Sequence, residues 1–74
     1  MDRLIATLLR VNPDIDYASE NALISDHVLE SLDLITLVYE LYSEYQIQLG
    51  AEDLTAENFD SAERILQFIE LKRS

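Results

Sequence analysis

The chain has no cysteine and no tryptophan, and only one glycine, one proline and one histidine in 74 residues. Without cysteine there is no disulfide framework, no thiolate zinc site and no thiol nucleophile. A single histidine leaves no His-rich metal site. One glycine (Gly50) and one proline (Pro13) are too few turn residues for an all-β domain, so the chain reads as all-α. Basic residues are scarce as well, 5 Lys and Arg against 15 Asp and Glu, for a net charge of -10. With so little to neutralise phosphates, the composition argues against direct nucleic-acid binding. No apolar run approaches the ~20 residues that cross a bilayer. The stretch MDRLIATLLRVNPD is too short in its apolar part, and too soon acidic, to read as a signal peptide. The expectation is a soluble, cytoplasmic protein without membrane insertion.

Hydrophobic residues make up 49% of the chain, which argues against disorder, because disordered chains combine high charge with low hydrophobicity. The length suits one domain, residues 1–74. A domain this small has a marginal core, so each helix must bury a defined face. Little room remains for a substrate cleft. The composition points to a protein that presents a surface or an attached group, and not to an enzyme.

Residues 2–11 read as a first helix, with Leu4, Ile5 and Leu8 on one face and Leu9 beside it. Asn12-Pro13 stops it, since the residue before proline disfavours helical geometry. From Asn12 to Glu30 no period holds, and Ile15, Tyr17, Leu23, Ile24, Val28 and Leu29 are the candidate anchors of this long connection. A second helix is expected from about Ser31 to Tyr45, with Gly50 allowing a turn after it, and a short helical turn near Glu52 to Asn58. The last helix is expected to start at Asp60, where Asp60-Ser61-Ala62-Glu63 reads as a capping box. Its buried stripe is Ala62, Ile65, Leu66 and Ile69. Lys72 and Arg73 close it with the sign that a helix C-terminus prefers. The adjacent acids Glu52 and Asp53 read as a solvated turn, and no D-x-D-x-D-G calcium loop occurs.

At about 100° per residue the second helix has two apolar stripes. Leu34, Leu37, Val38, Leu41 and Tyr45 form one, and Leu32, Ile35, Tyr39 and Tyr42 form the other. One buried face needs only one stripe. Either the long connection covers the second, or it is an exposed patch for partners. Asp33, Thr36, Glu40, Ser43 and Glu44 make the polar face. Between Arg10 and Arg64 lie 13 acids and no Lys or Arg. Such a field either serves solubility or steers toward basic partners.

Ser31 opens this helix, between the two stripes. A serine there is by itself an ordinary N-cap. Its context is Val28-Leu29-Glu30-Ser31-Leu32-Asp33, continued by LITLVYELYSEYQIQL. In an acidic helical chain of this size, that run resembles the acyl carrier protein family. The family pattern is Asp-Ser-Leu at the start of helix two, an acidic and aliphatic helix, then an aromatic-x-aliphatic exit, here Tyr45, Ile47 and Leu49. The resemblance covers about residues 20–70. It implies a small acyl-carrier-like helical bundle of three main helices and one short one.

It also implies that Ser31 accepts a 4′-phosphopantetheine arm from coenzyme A as a phosphodiester, and that the arm's thiol carries an acyl group as a thioester. The implied partners are a phosphopantetheinyl transferase, an acyl- or aminoacyl-activating ligase, and acyltransferase or synthase enzymes with basic docking surfaces. Glu30, Leu32, Asp33, Ile35, Tyr39 and Glu40 are the candidate docking residues of a monomeric carrier. The segment from Glu52 to Ala62 is similar to D-alanyl carrier proteins, although Phe59 there also suits a simple core plug. Two positions depart from the family. Glu30 stands where Asp is usual, and His27 where many members have glycine. The alternative is an acidic helical interaction domain that binds a basic partner unmodified.

Overall fold

The computed structural model describes residues 1–73. Helix α1 spans Asp2–Val11, α2 Ser31–Tyr45, α3 Ala56–Phe59 and α4 Ala62–Arg73, with a 3₁₀ turn at Ala51–Asp53 and no strand among the described residues. The chain is a small all-α bundle, three longer helices and one short, with the expected bounds for the first two.

Helix α1 buries Leu4 and Leu8, with Thr7 between them. Threonine is tolerated there because its hydroxyl donates to the Arg3 carbonyl one turn back, at 2.9 Å. Ile5, expected on the same face, is half-buried, and Leu9 beside it is exposed. The helix ends where Asn12 turns extended (φ −152°, ψ 106°), as its place before Pro13 requires.

α1 runs antiparallel to α2. Arg3, at the start of α1, pairs with Glu44 near the end of α2 (3.2 Å) and donates to the Glu44 carbonyl. Arg10 bridges Glu40 and Glu44, both at 2.9 Å. At the far end of α1, Asn12 Nδ2 donates to Asp33 at 3.4 Å.

The connection from Asn12 to Glu30 is packed down by its own side chains. Tyr17, Leu23 and Leu29 are buried, and Ile15, Ile24 and Val28 are half-buried against them. The Tyr17 hydroxyl lies 2.9 Å from the carbonyls of both Leu8 and Asn12 at the end of α1, where the Leu8 carbonyl also takes the Asn12 N–H. Burial, reinforced by the Asp33 charge, pushes its pKa up to about 12.

Helix α4 starts later than its sequence suggests. Ser61, not Asp60, is the cap, and its Oγ accepts the Arg64 N–H at 3.1 Å. Asp60 ends α3 and turns its carboxylate to the long connection. There Oδ1 accepts the Ile24 and Ser25 N–H groups (2.8 and 2.9 Å) and Oδ2 the Ser25 hydroxyl (2.6 Å). The Asp60 carbonyl takes the Leu23 N–H as well. Within α4, Phe68 joins Ala62, Ile65 and Ile69 in the core, while Leu66 is only half-buried. Phe68 packs on the fully buried Phe59, ring centroids 5.1 Å apart and tilted 55°.

The turn after α2 is also made differently. Gln46 takes the left-handed conformation (φ 53°, ψ 39°) and closes the helix. Gly50 has an ordinary negative φ of −111° and precedes the 3₁₀ turn, its N–H donating to Asp53.

Candidate functional site

Ser31 is the first residue inside α2. Glu30 is the cap position, with extended backbone (φ −88°, ψ 175°), and the Asp33 carboxylate accepts the Glu30 N–H at 3.2 Å. Ser31 is therefore not the N-cap that a serine here suggests. Its side chain is exposed and has no hydrogen-bond partner among the described residues. The hydroxyl sits beside first-turn amides that have no intrahelical acceptor, a setting that favours a phosphate.

The backbone leading into Ser31 is fixed from two sides. Residues 22–27 wind into a turn, with the Asp26 N–H on the Ala22 carbonyl and the Leu29 N–H on the Leu23 carbonyl. His27 leaves that turn in the left-handed conformation, φ 54°. Glycine adopts it freely and histidine more readily than most residues, so His27 stands at a position that glycine would suit. Asp60 holds the other end of the turn at Ile24 and Ser25. Hydrogen bonds from the Ser25 hydroxyl and amide keep the Asp60 carboxyl below its usual pKa, with help from the Ile24 amide and Arg64. His27 itself is exposed.

Beside Ser31 an open cleft of about 410 Å³ runs between α2 and the segment that follows it. Leu34, Ile35 and Val38 form its α2 wall, and Leu49, Ala51 and Leu54 the other. A second cleft of about 440 Å³ shares Ile35, Val38 and Leu49 and continues toward Tyr42. The far wall was legible only in part, through Leu49 in the aromatic-x-aliphatic exit. Ala51 carries no motif and Leu54 is legible only as part of the 52–62 segment, and both reach the site by the path of the chain. A larger hollow, about 680 Å³, lies at the other end of α2 among Tyr42, Tyr45, Lys72 and Arg73.

Of the expected docking residues, Leu32, Ile35 and Tyr39 are 78%, 67% and 66% exposed, and Tyr42 joins them at 51%. The second stripe is therefore uncovered, and the long connection packs elsewhere. Glu30 is exposed next to Ser31. Asp33 and Glu40 belong to a different surface. Both lie on the edge of α2 facing α1, Asp33 bonded to Glu30 and Asn12 and Glu40 to Arg10. The expected docking acids thus divide, because α1 sets Asn12 against Asp33 and Arg10 against Glu40 along that edge.

Among the described residues no three His, Cys, Asp or Glu side chains are grouped to hold a metal ion, and no helix is long and apolar enough to cross a membrane. The chain matches no protein-family model, no curated protein and no solved structure.

Proposed function

We propose that the protein is an acyl or aminoacyl carrier, modified at Ser31 with a 4′-phosphopantetheine arm and serving partner enzymes as a cytoplasmic monomer. One observation carries the reading: an exposed serine hydroxyl with no partner, in the first turn of a 15-residue helix, at the mouth of an apolar cleft. The left-handed backbone at His27 supports it, since many carrier proteins have glycine at that position.

The residues present suit the group. Ser31 Oγ attacks the phosphorus that bears the pantetheine in coenzyme A. A new P–O bond forms, the pyrophosphate P–O bond breaks, adenosine 3′,5′-bisphosphate leaves, and the serine proton passes to a base on the transferase. The first-turn amides of α2 would hold the new phosphodiester, and Leu34, Ile35, Val38 and Leu49 line the apolar cleft beside Ser31. When attached, the arm supplies the thiol that this cysteine-free chain lacks and holds the cargo as a thioester. The chain then does no chemistry of its own; an activating ligase and acyltransferase or synthase enzymes act on what it carries. The likeness of residues 52–62 to D-alanyl carriers falls on side chains with structural work, Phe59 in the core and Asp60 on the long connection. The cargo class therefore stays at acyl or aminoacyl.

The exposed stripe on α2 favours a second reading, an unmodified interaction domain. Intact mass after incubation with coenzyme A and a phosphopantetheinyl transferase separates the two. A carrier gains one arm, and Ser31→Ala gains none while keeping its helical circular dichroism. An unmodified wild type, or an adduct on Ser19, Ser25, Ser43 or Ser61 in the variant, would refute the assignment.

A further inference from the structure

The exposed residues of α2 are Ser31, Leu32, Ile35, Thr36, Tyr39, Tyr42 and Ser43, and none is charged. At 100° per residue they fill one continuous arc of about 140°. The three acids of the helix lie outside it. Asp33 accepts from Glu30 and Asn12, Glu40 pairs with Arg10, and Glu44 pairs with Arg10 and Arg3. Two of the five basic residues of the chain are thus spent neutralising the edge of this one helix. Glu30, exposed and immediately before Ser31, is the acid that opens the strip.

We infer that the enzymes acting at Ser31 recognise α2 through an uncharged strip, Leu32–Ile35–Tyr39–Tyr42, and that charge guides them at its Glu30 end alone. The inference rests on the carrier reading and specifies the partner surface. That surface has an apolar hollow for Ile35 and Tyr39, hydrogen-bonding groups for the Thr36, Ser43 and tyrosine hydroxyls, and a basic group at the end where the arm is attached. Lys or Arg placed further along it would meet apolar side chains and lose hydration without gaining an ion pair.

The strip is continuous with the proposed modification site, since Leu32 follows Ser31 and Ile35 shares the cleft with it. Its size suits a passing enzyme better than a second copy. The four apolar side chains expose on the order of 500 Å², short of the ~800 Å² per partner of a stable interface. A carrier that must leave one enzyme for the next needs such a contact.

The test is the initial rate of arm transfer from coenzyme A by one phosphopantetheinyl transferase, at carrier concentrations below saturation. Ile35→Ala and Tyr39→Ala are expected to lower kcat/KM about tenfold, the range of a residue central to an interface. Glu30→Gln should lower it severalfold and reduce its dependence on salt. Glu40→Gln and Glu44→Gln should stay within about twofold of wild type. Urea denaturation separates recognition from folding, because Ile35→Ala should keep the wild-type midpoint while the core variant Leu37→Ala loses much of it. If wild type takes up no arm, the carrier reading fails and this inference with it. If wild type is modified but Glu40→Gln is as slow as Ile35→Ala, or the strip variants react at the wild-type rate, the inference alone is overturned.

Discussion

Asp60 Oδ2 accepts the Ser25 hydroxyl at 2.6 Å, joining two residues 35 positions apart in the chain. Through this contact the junction of α3 and α4 holds the turn that delivers Ser31. The same carboxylate takes two amides of that turn, so one side chain satisfies donors that no helix or strand would otherwise satisfy.

This arrangement makes stability depend on acid in a stated direction. The folded-state pKa of Asp60 is depressed, first by the Ser25 hydroxyl and amide. Its contribution is therefore fully present above the unfolded carboxyl pKa of about 3.9, and is lost as pH falls through the folded value. Asp60→Asn should lower the urea midpoint at neutral pH and weaken the fall in stability on acidification below about pH 4. Denaturation series at several pH values compare the two proteins. Parallel acid profiles would mean that other carboxylates carry the effect.

The left-handed residues give a second prediction. His27 and Gln46 pay a steric cost of about 1–2 kcal/mol in this region, which glycine avoids. Glycine also gives up more entropy on folding, so His27→Gly and Gln46→Gly should each gain about 0.5–1 kcal/mol net. His27→Val, with a branch at Cβ, should lose at least about 1 kcal/mol. Gly50→Ala serves as the contrast. Its φ is ordinary, and the added methyl meets only the movable end of the Glu52 side chain, so little change is expected. Thermal melts of the four variants test the ordering, and a stabilised valine variant would contradict it.

Tyr17 should ionise well above the ordinary tyrosine range. Its pKa is pushed up to about 12 by burial and then by the Asp33 charge. Because the folded value is raised, the contribution of Tyr17 to stability is whole below about pH 10 and is lost as pH climbs from there toward 12. Ultraviolet titration of the phenolate should show a late component that Tyr17→Phe removes. The phenylalanine variant should also lose about 1 kcal/mol at neutral pH, the net worth of the hydrogen bond to the end of α1. Loss of signal at about pH 10 instead would show that Tyr17 is open to solvent.

What the sequence determined by itself was whatever depends on near neighbours. Pro13 ended α1, the 100° period set the extent of α2 and split its apolar residues into two stripes, and the apolar residues of the 12–30 connection were marked as anchors because nothing else in that stretch could oppose solvent. The tertiary structure decided between alternatives that were locally equivalent. Asp60 and Ser61 are both good caps, and the choice went to Ser61 because Asp60 had a better use 35 residues away. Leu66, expected in the buried stripe of α4, stayed half-buried, and Phe68 entered the core, where Phe59 offered it a ring to pack against. The acids of α2 read as one field with Glu30 until α1 came to lie along their edge and paired Glu40 and Glu44 with Arg10 and Arg3. Periodicity says which side chains share a face, whereas only the position of the neighbouring helix says which face meets water. For the strip beside Ser31 that position left an uncharged surface open on an otherwise acidic protein.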